Sequence, residues 1–126
     1  MKTILIVEDN EKNMKLVRDI LRHNGHATIE AATGAEGVLQ ACEQRPDLIL
    51  MDIQLPDIDG IEALRRIRAD RSLDTVPVIA VSASVMPDDQ HKIVTSGFDA
   101  FVTKPINLKQ FLETVSRFLA HGRGAK

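Results

Sequence analysis

The chain of 126 residues is 44% hydrophobic and 27% charged, the length and balance of one domain with a single core. Its net charge of -2 offers no electrostatic grip on nucleic acid or an anionic membrane, and no apolar run approaches the roughly 20 residues that span a bilayer. The N-terminus lacks the profile of a secretion signal. The single cysteine, Cys42, excludes an internal disulfide, suits a reducing cytoplasm and, beside Val38 and Ala41, reads as a core thiol.

Residues 3–7, Thr-Ile-Leu-Ile-Val, form an apolar strand that ends at Glu8-Asp9-Asn10. Asp9 or Asn10 caps a helix over 10–24, in which Met14, Val17 and Leu21 recur at helical spacing and Leu16 and Ile20 widen the same face. Gly25 stops that helix, and 26–30 reads as a short second strand. Thr33-Gly34 opens a second helix, apolar at Ala35, Val38, Leu39 and Cys42 and ended by Pro46. The run Leu48-Ile-Leu-Met51 is a strand buried on both faces. Asp52 follows it directly, and a loop of acids, Pro and Gly extends from Gln54 to Gly60.

A third helix turns Ile61, Leu64 and Ile67 inward and Arg65, Arg66 and Arg68 largely outward, a solvated face rather than a nucleic-acid patch. Val76 to Val81 is a fourth strand with Ser82 at its end. Pro87 suits the first turn of a fourth helix, whose only obvious anchors are Ile93 and Val94. After the stop at Gly97, Asp99 to Thr103 forms a fifth strand ending at Lys104-Pro105. Asn107 and Gln110 have capping-box spacing, and the last helix carries Leu108, Phe111, Leu112, Val115, Phe118 and Leu119 on one stripe. Gly122 ends it, so that 1–121 is expected as the domain and 122–126 as a frayed tail with no output domain. The histidines at 23, 26, 91 and 121 show no ligand spacing and are expected to face solvent.

Strand and helix thus alternate five times, the pattern of a doubly wound α/β domain with a parallel sheet and right-handed crossovers. Five strands favour the flavodoxin-like order 2-1-3-4-5, with ligands beyond the carboxyl ends of the strands. In that order Glu8, Asp9 and Asp52 share one pocket, and Ser82 and Lys104 line the same edge. Like charges at ~4 Å repel by about 4 kcal/mol at an effective dielectric of ~20. Either one acid is protonated or cations hold the cluster together; one lysine does not balance three acids, and a hard divalent cation, Mg²⁺ or Mn²⁺, fits the remainder. A metal, a lysine, a hydroxyl and a spare carboxylate suit phosphoryl transfer, with Asp52, alone at the end of the central strand, as nucleophile.

Val7-Glu8-Asp9, Leu50-Met51-Asp52, Ser82-Ala83 and Lys104-Pro105 resemble the receiver domain of two-component response regulators over nearly the whole chain. The stretches 9–15 and 50–56 look particularly like those of the DivK-type single-domain regulators of the CheY-like superfamily. The resemblance implies that Asp52 accepts a phosphoryl group from a phosphohistidine on a histidine kinase or phosphotransfer protein. Asp9, Asp52 and the Gln54 carbonyl would bind Mg²⁺, with Glu8 acting mostly through water. Ser82 would hydrogen-bond the phosphoryl group, Lys104 would pair with it, and the Lys104-Pro105 peptide would be cis. Gln54 and Ser84 occupy positions that tune phosphoryl lifetime in the family. The implied switch draws Ser82 inward, lets Phe101 swing behind it and shifts the helix at 87–96; many relatives have Tyr where this chain has Phe101, and Asp where it has Glu8.

By the same resemblance, helix 10–24 and the loop after Lys104 are the kinase-docking surface. The face of 87–96, strand five and the last helix serves a downstream protein or a phosphorylation-dependent homodimer. Two other classes compete. An aspartyl-nucleophile phosphatase of the haloacid-dehalogenase type usually has a second Asp two residues after the first, where this chain has Gln54, and needs a cap domain. A binding-only module would have no need of Asp52, Ser82 and Lys104 together. A flavin site is disfavoured by the acidic turn after strand one.

Overall fold

The computed structural model describes residues 2–83 and 86–123. Ser84 lies outside the described residues. Five strands, β1 (Thr3–Val7), β2 (Ala27–Ala31), β3 (Leu48–Asp52), β4 (Val78–Ser82) and β5 (Ala100–Thr103), alternate with five helices. These are α1 (Glu11–His23), α2 (Gly34–Gln44), α3 (Gly60–Arg68), α4 (Pro87–Thr95) and α5 (Leu108–His121). The sheet is parallel throughout, in the order β2-β1-β3-β4-β5, as the alternation predicts.

Period-2 alternation divides the core into two layers. Leu5, Val7, Ile49, Met51, Val78 and Ala80 point to the face covered by Ala41 of α2, Ala63, Leu64 and Ile67 of α3, and Ile93 of α4. Ile4, Ile6, Leu48, Leu50, Ile79 and Val81 point to the other, against Met14, Val17 and Leu21 of α1 and Phe111, Val115 and Phe118 of α5. β3, at the centre, is buried at every position.

Local signals place the helix ends well. Asn10 Oδ1 accepts from the Asn13 amide at 3.0 Å, Thr33 Oγ1 from Glu36 at 3.1 Å and Asn107 Oδ1 from Gln110 at 3.0 Å. The glycines read as stops, Gly25, Gly97 and Gly122, all take positive φ.

Several faces differ from the expectation. Leu16, Leu39, Val94 and Leu108 are exposed, and Ala35 is exposed as well. In α2 the buried positions are Gly34, Gly37 and Ala41, with Val38 and Cys42 partly covered. The reason is close approach: a Cβ at Gly37 would stand 2.7 Å from Val7 Cγ2, so the small residues, not the large ones, meet the sheet. Cys42 is only partly buried. α4 is held by Ile93 alone of its two expected anchors.

The fourth strand starts at Val78 rather than Val76, because Val76 closes a 3-10 turn over Arg71–Leu73 by donating to the Leu73 carbonyl. Arg68 turns inward, not outward: Nη1 donates to the Leu73 carbonyl at 2.8 Å and Nη2 pairs with Asp99 at 3.2 Å. Arg123, expected in a frayed tail, binds Asp99 Oδ1 at 2.9 Å and the Asp74 carbonyl at 2.9 Å. His26 is partly covered rather than solvent-facing; its Nδ1 has no hydrogen-bond partner among the described residues, and burial pushes the imidazole below its ordinary value.

Arg45, at the end of α2, takes a left-handed conformation with φ 48 and ψ 66. Left-handed geometry costs a side-chain-bearing residue about 1–2 kcal/mol, more than the ~0.5–1 kcal/mol of extra chain entropy that glycine loses. Arg45→Gly should therefore raise unfolding stability in urea by about 1 kcal/mol. Gly37→Ala should lower it, because overpacking against a β-branched core residue costs about 1–3 kcal/mol and helix propensity returns at most ~1 kcal/mol.

Candidate functional site

The parallel ladder brings the chemistry-bearing residues to one edge. Val7 is level with Met51 and Ala31, so Glu8 and Asp52, the next residues of neighbouring strands, stand side by side. Beyond the strand ends the ladder continues: Glu8 N donates to the Ala31 carbonyl at 3.0 Å, Ile53 N to Val81 at 3.1 Å and Lys104 N to Ser82 at 2.8 Å. The last bond sets Lys104 next to Ser82 and aims it back across the sheet. The Lys104-Pro105 peptide is cis.

Glu8, Asp52 and Ser82 are the buried polar residues among those described, whereas Asp9 is exposed. Oxygens of Glu8, Asp9 and Asp52 all lie within 4.8 Å of one another. Lys104 Nζ pairs with Glu8 Oε1 at 2.9 Å and Asp52 Oδ2 at 3.1 Å. The free oxygen of Asp52 accepts from the Gln54 amide at 3.0 Å, which draws the exposed Gln54 backbone to the pocket. Three carboxylates against one ammonium leave two negative charges, which one divalent cation would cancel. All donors are hard oxygens at spacing that suits such an ion.

Burial raises the Glu8 carboxyl above its ordinary value, helped by the neighbouring Asp52, while Lys104 and the Asn10 amide pull the other way. Lys104 is also burdened by burial, but the two carboxylates outweigh this and hold the ammonium above its usual value.

Ser82 borders a cleft of about 150 Å³ with Gln54, Asp59, Asp89 and Lys92, between the loop after β3 and α4. Phe101, the partner of Ala80 in the ladder, does not line this cleft. It is partly buried against the α2–α4 layer and edges a groove between β5 and α5. The predicted acids, serine and lysine therefore converge, and Phe101 lies on the neighbouring strand, level with Ala80 and two residues back from the Ser82 pair. A residue that sequence reasoning passed over is Asp57, whose carboxylate accepts from the Gly34 amide at 2.8 Å and the Ala35 amide at 2.9 Å. A cap lying 23 residues after its helix start has no local signature.

A doubly wound α/β domain takes its ligands beyond the carboxyl ends of the strands at the switch point, and the acid–lysine pocket lies there. The sequence pattern of the response regulator receiver domain matches residues 4–116, and the chain belongs to that family of two-component signalling proteins. The polar-differentiation response regulator DivK of Brucella anthropi is 46% identical over 118 residues, 94% of this chain and 96% of that protein. DivK of Brucella ovis is 45% identical over the same shares. Among solved structures, the receiver domain of a sensor histidine kinase from Pseudomonas aeruginosa, with a magnesium ion coordinated in its active-site cleft, superposes with a TM-score of 0.88 at 34% identity, covering 94% of this chain and 98% of that one. A CheY-like receiver from Methanospirillum hungatei gives 0.86 at 30% identity, covering 95% and 94%.

A carboxyl whose folded pKa is raised binds its proton more tightly in the native state, so the stability it lends is present below the unfolded value of 4.5 and lost as pH rises through the folded one. Glu8→Gln should therefore raise the thermal midpoint at pH 7 in EDTA, with the gain shrinking as pH falls through the raised folded value and gone below 4.5. An equal or lower midpoint at neutral pH would contradict the burden assigned to this acid.

Proposed function

We propose that this chain is the phosphoacceptor of a two-component phosphorelay, taking a phosphoryl group on Asp52 and signalling by protein binding. The observation that carries this reading is a buried Asp52 paired with Lys104 at 3.1 Å inside a cluster of three acids, in a chain of the receiver family. An Asp52 oxygen forms the new bond to phosphorus as the bond to the donor's imidazole nitrogen breaks. The electron pair returns to that nitrogen, which takes up a proton.

Lys104 sits where it would leave Glu8 and Asp52 to pair with the transferred group, and the Ser82 hydroxyl would donate to it. Asp9, Asp52 and the Gln54 carbonyl would hold Mg²⁺ or Mn²⁺, with Glu8 acting through water. When bound, the metal supplies charge neutralisation for the phosphoryl oxygens. Beyond its own phosphorylation and dephosphorylation the protein is not an enzyme, and its place is the cytoplasm.

The donor, a histidine kinase or phosphotransfer protein, would dock on α1 and the start of α5. There Leu16 and Leu108 are exposed, and Ile20 and Leu112 line an apolar groove of about 460 Å³. The face of α4, β5 and α5 would serve a downstream protein or a second phosphorylated copy. Phe101, beside the groove between β5 and α5, would respond to movement of Ser82 by packing alone, because it lacks a hydroxyl.

Incubation with acetyl phosphate and Mg²⁺ should add one phosphoryl group by intact mass, absent in EDTA and in Asp52→Asn. No adduct from acetyl phosphate or from a phosphorylated histidine kinase would overturn the phosphoacceptor reading and leave a binding-only module. Leu108→Glu should weaken binding of the phosphohistidine donor about tenfold, the loss of one well-placed apolar contact, measured by titration against that donor.

A further inference from the structure

The loop that follows the phosphoacceptor strand is fixed at three points. At its base, Ile53 N donates to the Val81 carbonyl at 3.1 Å and Gly60 N to the Ile53 carbonyl at 2.9 Å. At its far end, Asp59 Oδ1 caps α3 by accepting from the Glu62 amide at 2.8 Å. At its tip, Asp57 reaches across to another helix: Oδ1 takes the Gly34 amide at 2.8 Å and Oδ2 the Ala35 amide at 2.9 Å. These are two of the four amides that the first turn of α2 leaves without intrahelical partners, and the positive end of that helix favours the carboxylate.

The next residue, Ile58, fills the space at Gly34. A Cβ there would overlap Ile58 Cγ1, so only glycine lets the loop seat on the helix. The amides of Ala35, Gly34 and Ile58 pull the Asp57 carboxyl down to about 2, and the clamp stays charged across the neutral range.

Between the base and the tip lies Gln54, whose amide already binds Asp52 Oδ1 at 3.0 Å. We propose that Asp57 is a positioning residue for the metal and phosphoryl site, clamping the loop to the start of α2 so that the Gln54 backbone is held against Asp52. This inference rests on the reading of the Gln54 carbonyl as a metal ligand given above. α2 has its own cap in Thr33, so Asp57 adds a tie between the two segments rather than a first cap.

The test compares the full chain with Asp57→Ala, Asp57→Asn and, as a control, Asp70→Ala, which removes a cap on the Ser72 amide after α3. Magnesium affinity is measured by calorimetry, the rate of phosphorylation by acetyl phosphate as a function of Mg²⁺, and the thermal midpoint alongside. Asp57→Ala should weaken Mg²⁺ binding roughly tenfold, the low end for loss of a residue that supports a ligand, with the rate recovering at saturating Mg²⁺. Asp57→Asn, which keeps one acceptor oxygen, should lie between, and Asp70→Ala should lower the midpoint without moving the affinity. Unchanged affinity in Asp57→Ala beside a lower midpoint would make Asp57 a helix cap only and overturn the proposal; should that variant not fold, Asp57→Asn decides by the same criterion. A wild-type chain that neither binds Mg²⁺ nor gains a phosphoryl group would sink the functional reading itself, and this inference with it, without recourse to any Asp57 variant.

Discussion

Crowded negative charge at the carboxyl edge of the sheet is the constraint that organises this molecule. Glu8, Asp9 and Asp52 present oxygens within 4.8 Å of one another, where each pair repels by several kcal/mol even at an effective dielectric of ~20. Lys104 offsets one of the three charges, shared between Glu8 at 2.9 Å and Asp52 at 3.1 Å. That bridge spans β1, β3 and the end of β5, so the strands must hold register to keep it. They do so because β3 is buried at every position and apolar side chains fill both faces around it.

The bridge is incomplete by design of its charges. Two negative charges remain, and Glu8 carries a raised pKa because it is buried beside Asp52. Such a pocket is destabilising in isolation, and a cation held among these oxygens would relieve it. Strain of this kind is common where a site is poised for charge to arrive. The surrounding structure supplies the stability: two packed layers on either side of the sheet, and a second ionic cluster far from the pocket in which Asp99 gathers Arg68, Arg123 and the Val78 amide.

Elements around the pocket differ in how firmly they are held. The loop after β3 is tied at base, tip and end, whereas α4 sinks only Ile93 into the core and leaves Val94 exposed. A change at Ser82 would therefore meet less resistance on the α4 side than on the α2 side. Few buried contacts mean a low local cost of movement.

Local chemistry explains what could be read along the chain. The five apolar runs, the caps at Asn10, Thr33 and Asn107 and the glycine stops depend on neighbours within a few residues, and the strand order followed from their alternation. So did the grouping of Glu8, Asp9, Asp52, Ser82 and Lys104, because each stands at the end of a strand whose direction is shared. Tertiary structure alone decided which apolar residues are covered and where long side chains reach. Gly37, not Leu39, faces the sheet because α2 lies too close to Val7 there for anything larger, and Gly34 is covered by Ile58 of the loop after β3. Arg68 and Arg123 turn to Asp99, 31 and 24 residues away, and Asp57 to an amide 23 residues earlier. Those partners are separated in sequence and joined only by the packing of helices on the sheet, so no pattern of local spacing announces them.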